Sequence, residues 1–259
     1  MGDLFHISII ARNIADVLEV LKAVTGQNDF LNNRKTETRT SYSSLCTHKK
    51  NKKINFFWSF SKQVPDADVK NVIEKALEIC SAAGVNIVQS ELALTTSLYE
   101  IFESKFLGGI VKKVSGVPNF RQFGDKEIIH EIEKYQDQSK LSEKYIAAEI
   151  EKLEKFLYQA LQNAELLMCP TVLHKPFLKS SSRPPGTEAL GILEWPSNCI
   201  LANLLGLPAV TIPCGSTTHG LPIGVQLISS RYKDIELLND ANIIYKLLGA
   251  PYSSPTMVG

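Results

Sequence analysis

Ile14, Val17, Leu18, Leu21 and Val24 recur at three- and four-residue steps behind Asn13, a pattern that predicts an amphipathic helix over 13–25, capped by the asparagine and stopped at Gly26. A polar, turn-rich stretch runs from Asn32 to Lys53, after which Ile54-Asn-Phe-Phe-Trp58 has strand character. Asp66 then caps a helix through Val69, Ile73, Ala76, Leu77 and Cys80 that ends near Gly84, and Val85 to Val88 is the next strand. Strand, helix and strand at this spacing predict a right-handed β-α-β unit with parallel strands, which places the chain in the α/β class.

The second half continues that alternation. A helical pattern from Leu98 to Val114 is expected to break at Gly108-Gly109 and again at Ser115-Gly-Val-Pro118. From Leu141 to Gln162 a long helix is predicted, with Tyr145, Ala148, Leu153, Phe156, Leu157 and Ala160 as its apolar stripe and Glu149 with Lys152 and Glu151 with Lys155 paired on its outer face. Glu165 to Cys169 reads as a core strand ending at Pro170, because proline has no N–H for a ladder. Thr171 therefore stands at a strand's carboxyl end, where open parallel sheets bind ligands. A Ser/Pro-rich loop from Lys179 to Gly186 leads to a short helix over 196–205. Ala209 to Ile212 and Ile223 to Ile228 form an antiparallel pair joined through 214–220, and a closing helix from Asp234 through Leu247 ends at Gly249 and Pro251.

Composition narrows the functional classes. With 259 residues, 44% apolar and 21% charged, the chain can bury a large core, and its formal net charge of +1 creates no field that implies nucleic acid as a principal partner. The basic residues between Arg34 and Lys53 are read as a solvated loop. No apolar run reaches bilayer length, and the first residues lack the basic head and apolar core of a signal peptide, so a soluble, intracellular protein is expected. Cys46, Cys80, Cys169, Cys199 and Cys214 form no CxxC pair and have no histidine at ligand spacing; buried thiols in a reducing compartment are expected, with no metal site. His6, His48, His130, His174 and His219 are scattered. No nucleophile elbow, phosphate loop, dinucleotide fingerprint or HExxH motif occurs, so no cofactor is implied.

A strand ending in Cys169-Pro-Thr171, a helix leading into Asn203-Leu-Leu-Gly-Leu-Pro-Ala209, a strand ending in Pro213-Cys-Gly215, then Gly220-Leu-Pro-Ile-Gly-Val-Gln-Leu-Ile228 and a terminal helix are similar to the C-terminal half of the amidase-signature family. Within that family, Met1-Gly-Asp3, Ile54 to Trp58 and Gly220 to Gln226 most resemble the fatty-acid amide hydrolase type 2 branch. Ala11-Arg-Asn-Ile-Ala-Asp16 resembles the short arginine-then-aspartate helix that follows the family's catalytic segment, while residues 89–160 match in pattern only. The resemblance implies a mixed sheet covered by helices on both faces. It also implies that residues 1–259 are one incomplete domain, with 32–53 as a loop within it.

The family's catalysis rests on a serine, a second serine on a cis peptide bond and a lysine, in a glycine- and serine-rich segment that supplies the oxyanion hole. No such segment is found in this sequence; Ser180-Ser-Ser182 beside Lys179 and Arg183 has no glycine ahead of it and reads as a solvated loop. No catalytic residue is therefore expected here, and the chain alone is expected to be inactive. The resemblance implies that Cys169, Thr171, Trp195, Asn198 and Cys199 wall a substrate pocket suited to the acyl part of a fatty-acid amide. It further implies that the missing half, a partner chain or a second copy covers the exposed sheet edges, and that any membrane contact is made by a segment outside this chain. Two other readings stay open: a non-catalytic pseudoenzyme or interaction module, and part of the glutamine-forming glutamyl-tRNA amidotransferase, whose amidase component has the same Asn-Leu-x-Gly-Leu-Pro-Ala pattern. That branch carries an acidic residue where Pro196 stands, and Glu194 is out of register with it.

Overall fold

Asn13 accepts the backbone N–H of Asp16 through Oδ1 at 2.9 Å, and helix α1 (Ile14–Thr25) starts behind that cap. The computed structural model describes residues 4, 6, 8–25, 53–61, 63–91, 98–114, 116–117, 119–137, 141–191 and 194–249. The expected basic loop lies outside them except for Lys53, as do Cys46, His48 and the opening tripeptide.

Lys53–Phe56 is strand β1, and Asp66 caps α2 (Ala67–Ala82) by accepting from Asp68 N at 2.9 Å. Gly84, at φ 88°, turns the chain out of α2 into β2 (Asn86–Gln89), which pairs parallel to β1 as expected. Helix α3 (Leu98–Val114) runs unbroken through Gly108-Gly109, contrary to the sequence expectation. The reason is packing: a Cβ on Gly108 would stand 3.1 Å from the Tyr135 hydroxyl, so glycine here admits a neighbouring helix. That neighbour is α5 (Lys126–Asp137), which the sequence reading did not anticipate, and which follows the single turn α4 (Phe120–Phe123).

Ser142 accepts from Tyr145 N at 3.2 Å to open α6 (Glu143–Gln162). Its buried stripe is rotated from the expected one. Tyr145 and Ala148 are exposed, Ile146, Ile150, Leu153 and Leu157 face inward, and Glu149 is buried. The paired charges hold, with Lys152 Nζ at 2.5 Å from Glu149 and Lys155 Nζ at 2.7 Å from Glu151. The remaining elements are β3 (Leu166–Pro170), α7 (Ser197–Leu205), β4 (Ala209–Ser216), β5 (Pro222–Ile228) and α8 (Asp234–Leu247).

These strands form one five-stranded sheet in the order β2-β1-β3-β5-β4. Strands β1, β2 and β3 are parallel; β5 returns antiparallel between β3 and β4. Alternation along β3 sends Leu166 and Met168 to one face and Leu167 and Cys169 to the other. The first face packs with residues of α1, α2 and α8, including Ile14, Ile73 and Ala241. The second packs with residues of α3, α6 and α7, including Ile101, Leu153 and Leu201. The protein is thus a mixed α/β sheet with helices on both faces. Because β5 runs against β3, its first residues and the end of β4 meet the carboxyl end of β3 at one rim.

Candidate functional site

At this rim β3 ends in Pro170, and α7 begins beside it at Ser197. Asn198, in the first turn of α7, donates through Nδ2 to Pro170 O at 2.8 Å and to Trp58 O at 3.1 Å, and accepts from Phe60 N through Oδ1 at 3.0 Å. One side chain therefore joins the end of β3 to the loop after β1. Gln226 of β5 donates to Asn198 O at 3.1 Å and to Cys169 Sγ at 3.5 Å. Cys199 Sγ donates to Thr171 O at 3.3 Å, and Thr171 Oγ1 donates to Thr211 Oγ1 at 3.3 Å.

Four of the five sequence-selected residues, Cys169, Thr171, Asn198 and Cys199, are thus gathered within this network. Cys169 is 0% and Asn198 1% exposed, so these two brace the rim from below and do not present a wall to solvent. Trp195 stands apart. Its ring meets Phe177 edge-on, with centroids 5.4 Å apart at 88°, and the two form part of a cleft of about 220 Å³ with His174, Lys175, Pro222 and Gly224.

His174 is held at that cleft by a hydrogen-bonded chain that sequence reasoning missed. Gln63 Nε2 donates to Glu194 O at 2.8 Å, and Gln63 Oε1 lies 3.2 Å from His174 Nε2. Burial pushes the His174 pKa below its ordinary value, partly opposed by the nearby Asp66 carboxylate. Lys175 Nζ lies 3.6 Å from Asp66 and 3.7 Å from Asp68, so its charge is already answered. Gln63 and His174 are 111 positions apart, and no periodicity or motif in the sequence joins them.

The hydroxyls here are not arranged as an activated nucleophile. Ser59, Ser61 and Ser197 bond one another at 3.0 Å, and among the described residues none of the three is bonded to a basic side chain. Ser180, Ser181 and Ser182 are exposed. Burial raises the thiol of Cys199 to about 11 and that of Cys169 to about 12, which leaves both protonated and poorly nucleophilic. Glu194, the acidic residue nearest α7, accepts Gly191 N at 3.1 Å through Oε2 and so closes its own turn. Among the described residues, no three histidine, cysteine or acidic side chains converge in a way that could hold a metal ion, and no helix is long and apolar enough to cross a membrane.

The family model described as Amidase matches residues 3–238. The A subunit of the glutamyl-tRNA(Gln) amidotransferase of Prochlorococcus marinus strain MIT 9312 is 40% identical over 87 residues, covering 33% of this chain and 17% of that protein. The second A subunit of the corresponding enzyme from Clostridium acetobutylicum is 21% identical across 95% of this chain and 56% of its own length. Among solved structures, 6-aminohexanoate cyclic dimer hydrolase complexed with substrate aligns over 96% of this chain and 56% of its own, with TM-score 0.71 and 16% identity. A fatty acid amide hydrolase aligns over 92% of this chain and 47% of its own, with TM-score 0.67 and 17% identity. The structural likenesses carry the fold, and the matches span between 17% and 56% of the length of these relatives.

Proposed function

Because the chain belongs to the amidase family, we propose that it is the C-terminal, substrate-facing portion of an amide hydrolase of the fatty-acid amide hydrolase kind. Its role is binding and positioning. The serine–serine–lysine chemistry is supplied by residues outside these 259, on a longer form of the chain or on a partner polypeptide. The observation that supports this is the rim itself: an aromatic cleft with Phe177 and Trp195 in its walls, beside a bracing network around Asn198, with no described hydroxyl or thiol set up to attack. The product pair would be a fatty acid and an amine.

Strands β2 and β4 form the two margins of the sheet, and the missing half, a partner chain or a second copy is proposed to cover them. The free, buried thiols of Cys80, Cys169 and Cys214 support an intracellular setting.

The amidotransferase reading rests on the shared Asn203-Leu-Leu-Gly-Leu-Pro-Ala209 pattern and on matches to A subunits that cover from 33% to 95% of this chain. Against it, Pro196 caps α7 where that branch carries an acidic residue, and the Glu194 carboxylate is occupied by Gly191. A non-catalytic binding protein would keep the same rim.

The test is a serine-reactive fluorophosphonate probe on the isolated chain, paired with calorimetric titration of dodecanamide and of L-glutamine. No serine labelling, no amide hydrolysis and a preference for dodecanamide are expected. Specific labelling of any serine would overturn the assignment of the nucleophile elsewhere, and a preference for glutamine would move the chain to the amidotransferase branch.

A further inference from the structure

Glu194 O is a carbonyl and can only accept, so Gln63 must turn its NH2 toward it, which leaves Gln63 Oε1 facing His174 Nε2. That oxygen in turn can only accept, so the proton of a neutral His174 sits on Nε2. Nδ1 is then a bare lone pair, and it makes no hydrogen bond among the described residues. The tautomer is thus dictated by a backbone carbonyl two residues removed from the imidazole through one glutamine. The ring lines the cleft beside Phe177 and Trp195.

Charge does not dominate this cleft. Its one ammonium, Lys175, lies against Asp66 and Asp68, which leaves little to hold an anionic ligand. At about 220 Å³ it is smaller than the roughly 300–1,000 Å³ of sites that enclose a whole ligand, so it fits one group of a larger molecule. An aromatic T-shaped pair in the walls and the His174 side-chain acceptor suit a flat, uncharged group with a hydrogen-bond donor.

We infer that the cleft binds the planar, uncharged end of an amide substrate, with His174 Nδ1 accepting its N–H and Phe177 and Trp195 enclosing its flat part. This inference rests on the reading that the chain supplies part of an amide-binding surface, and it makes His174 the residue that specifies an N–H over an N-alkyl group. Protonation of His174 removes the acceptor, so binding weakens as pH falls through the histidine's pKa.

The experiment uses the 259-residue chain with acetanilide and N-methylacetanilide as probes, follows tryptophan fluorescence, and takes Trp195→Phe as the spectroscopic control. Acetanilide should give a saturable change that Trp195→Phe abolishes, and N-methylacetanilide should bind about fivefold more weakly, as one lost hydrogen bond implies. His174→Phe should bring acetanilide to the affinity of its N-methyl analogue and leave the latter unchanged. The two-probe comparison on the unaltered chain stands even if that variant does not fold. Equal affinity for the two probes, tighter binding of benzoate, a signal that survives Trp195→Phe, or no saturable signal from the folded chain would each overturn the inference. The readout is binding, so its failure leaves the hydrolase reading intact, and an absence of hydrolysis leaves this inference intact.

Discussion

Asn198 donates to the carbonyl oxygen of Pro170 at 2.8 Å, and this bond ties the first turn of α7 to the last residue of the central strand. The same amide holds Trp58 O and Phe60 N, so truncation leaves several buried backbone groups without partners. Asn198→Ala should cost about 2–4 kcal/mol, the sum of one to two such penalties, read as a lower midpoint in urea unfolding. A loss below about 1 kcal/mol would show that water replaces the amide and that the brace is dispensable.

Gly191 lies directly beneath Tyr99, and a Cβ there would be driven into the phenol ring and hydroxyl. That hydroxyl donates to Glu103 Oε1 at 2.8 Å, and Tyr99 is largely buried in α3, so neither party can retreat freely. Gly191→Ala should destabilise the chain by about 1–3 kcal/mol through overpacking. Adding Tyr99→Leu opens the space, so the double variant should be more stable than the sum of the two single effects. Additive losses in the double-mutant cycle would refute the steric account.

Four thiols carry a pH signature. Burial raises Cys80 and Cys199 from the ordinary 9.0 to about 11, and Cys169 and Cys214 to about 12. The folded values exceed the unfolded one, so on raising the pH the unfolded chain loses these protons first. Stability is therefore intact below about pH 9 and is lost progressively between there and pH 11–12. At pH 8 without denaturant, iodoacetamide should leave these four cysteines unmodified in peptide mapping and should label them in urea. Rapid native labelling of Cys169 would contradict its burial.

Where one residue's local chemistry decides an element, the sequence was legible. Asp66 and Gly84 bracket α2, and Asn13 caps α1, each doing what its side chain or lack of one favours. Where the decision lay in a distant neighbour, it was not. Gly108 reads as a breaker until Tyr135 is seen to need the space, and α5 buries Ile132 and Tyr135 from a helix otherwise rich in charge. The site divides in the same way. The end of β3 marked Cys169 and Thr171, and the family resemblance marked Asn198 and Cys199 at the start of α7. The bonds that fix His174 come from Gln63, far away in the chain, and no local pattern records them.

The reversal of strand direction beyond β3 has an architectural consequence. It collects on a single rim the loop after β1, the segment after β3, the first turn of α7 and the turn between β4 and β5. At the opposite rim, Arg231 clamps Leu205 O at 2.6 Å and Glu154 at 3.2 Å, well clear of those loops. On the proposed function, recognition falls to one end of these strands, and the Arg231 clamp lies at the other. Under that proposal, Phe177, Trp195 and Pro222 are free to be exchanged to suit a new substrate while the clamp and the sheet core beneath them stay as they are.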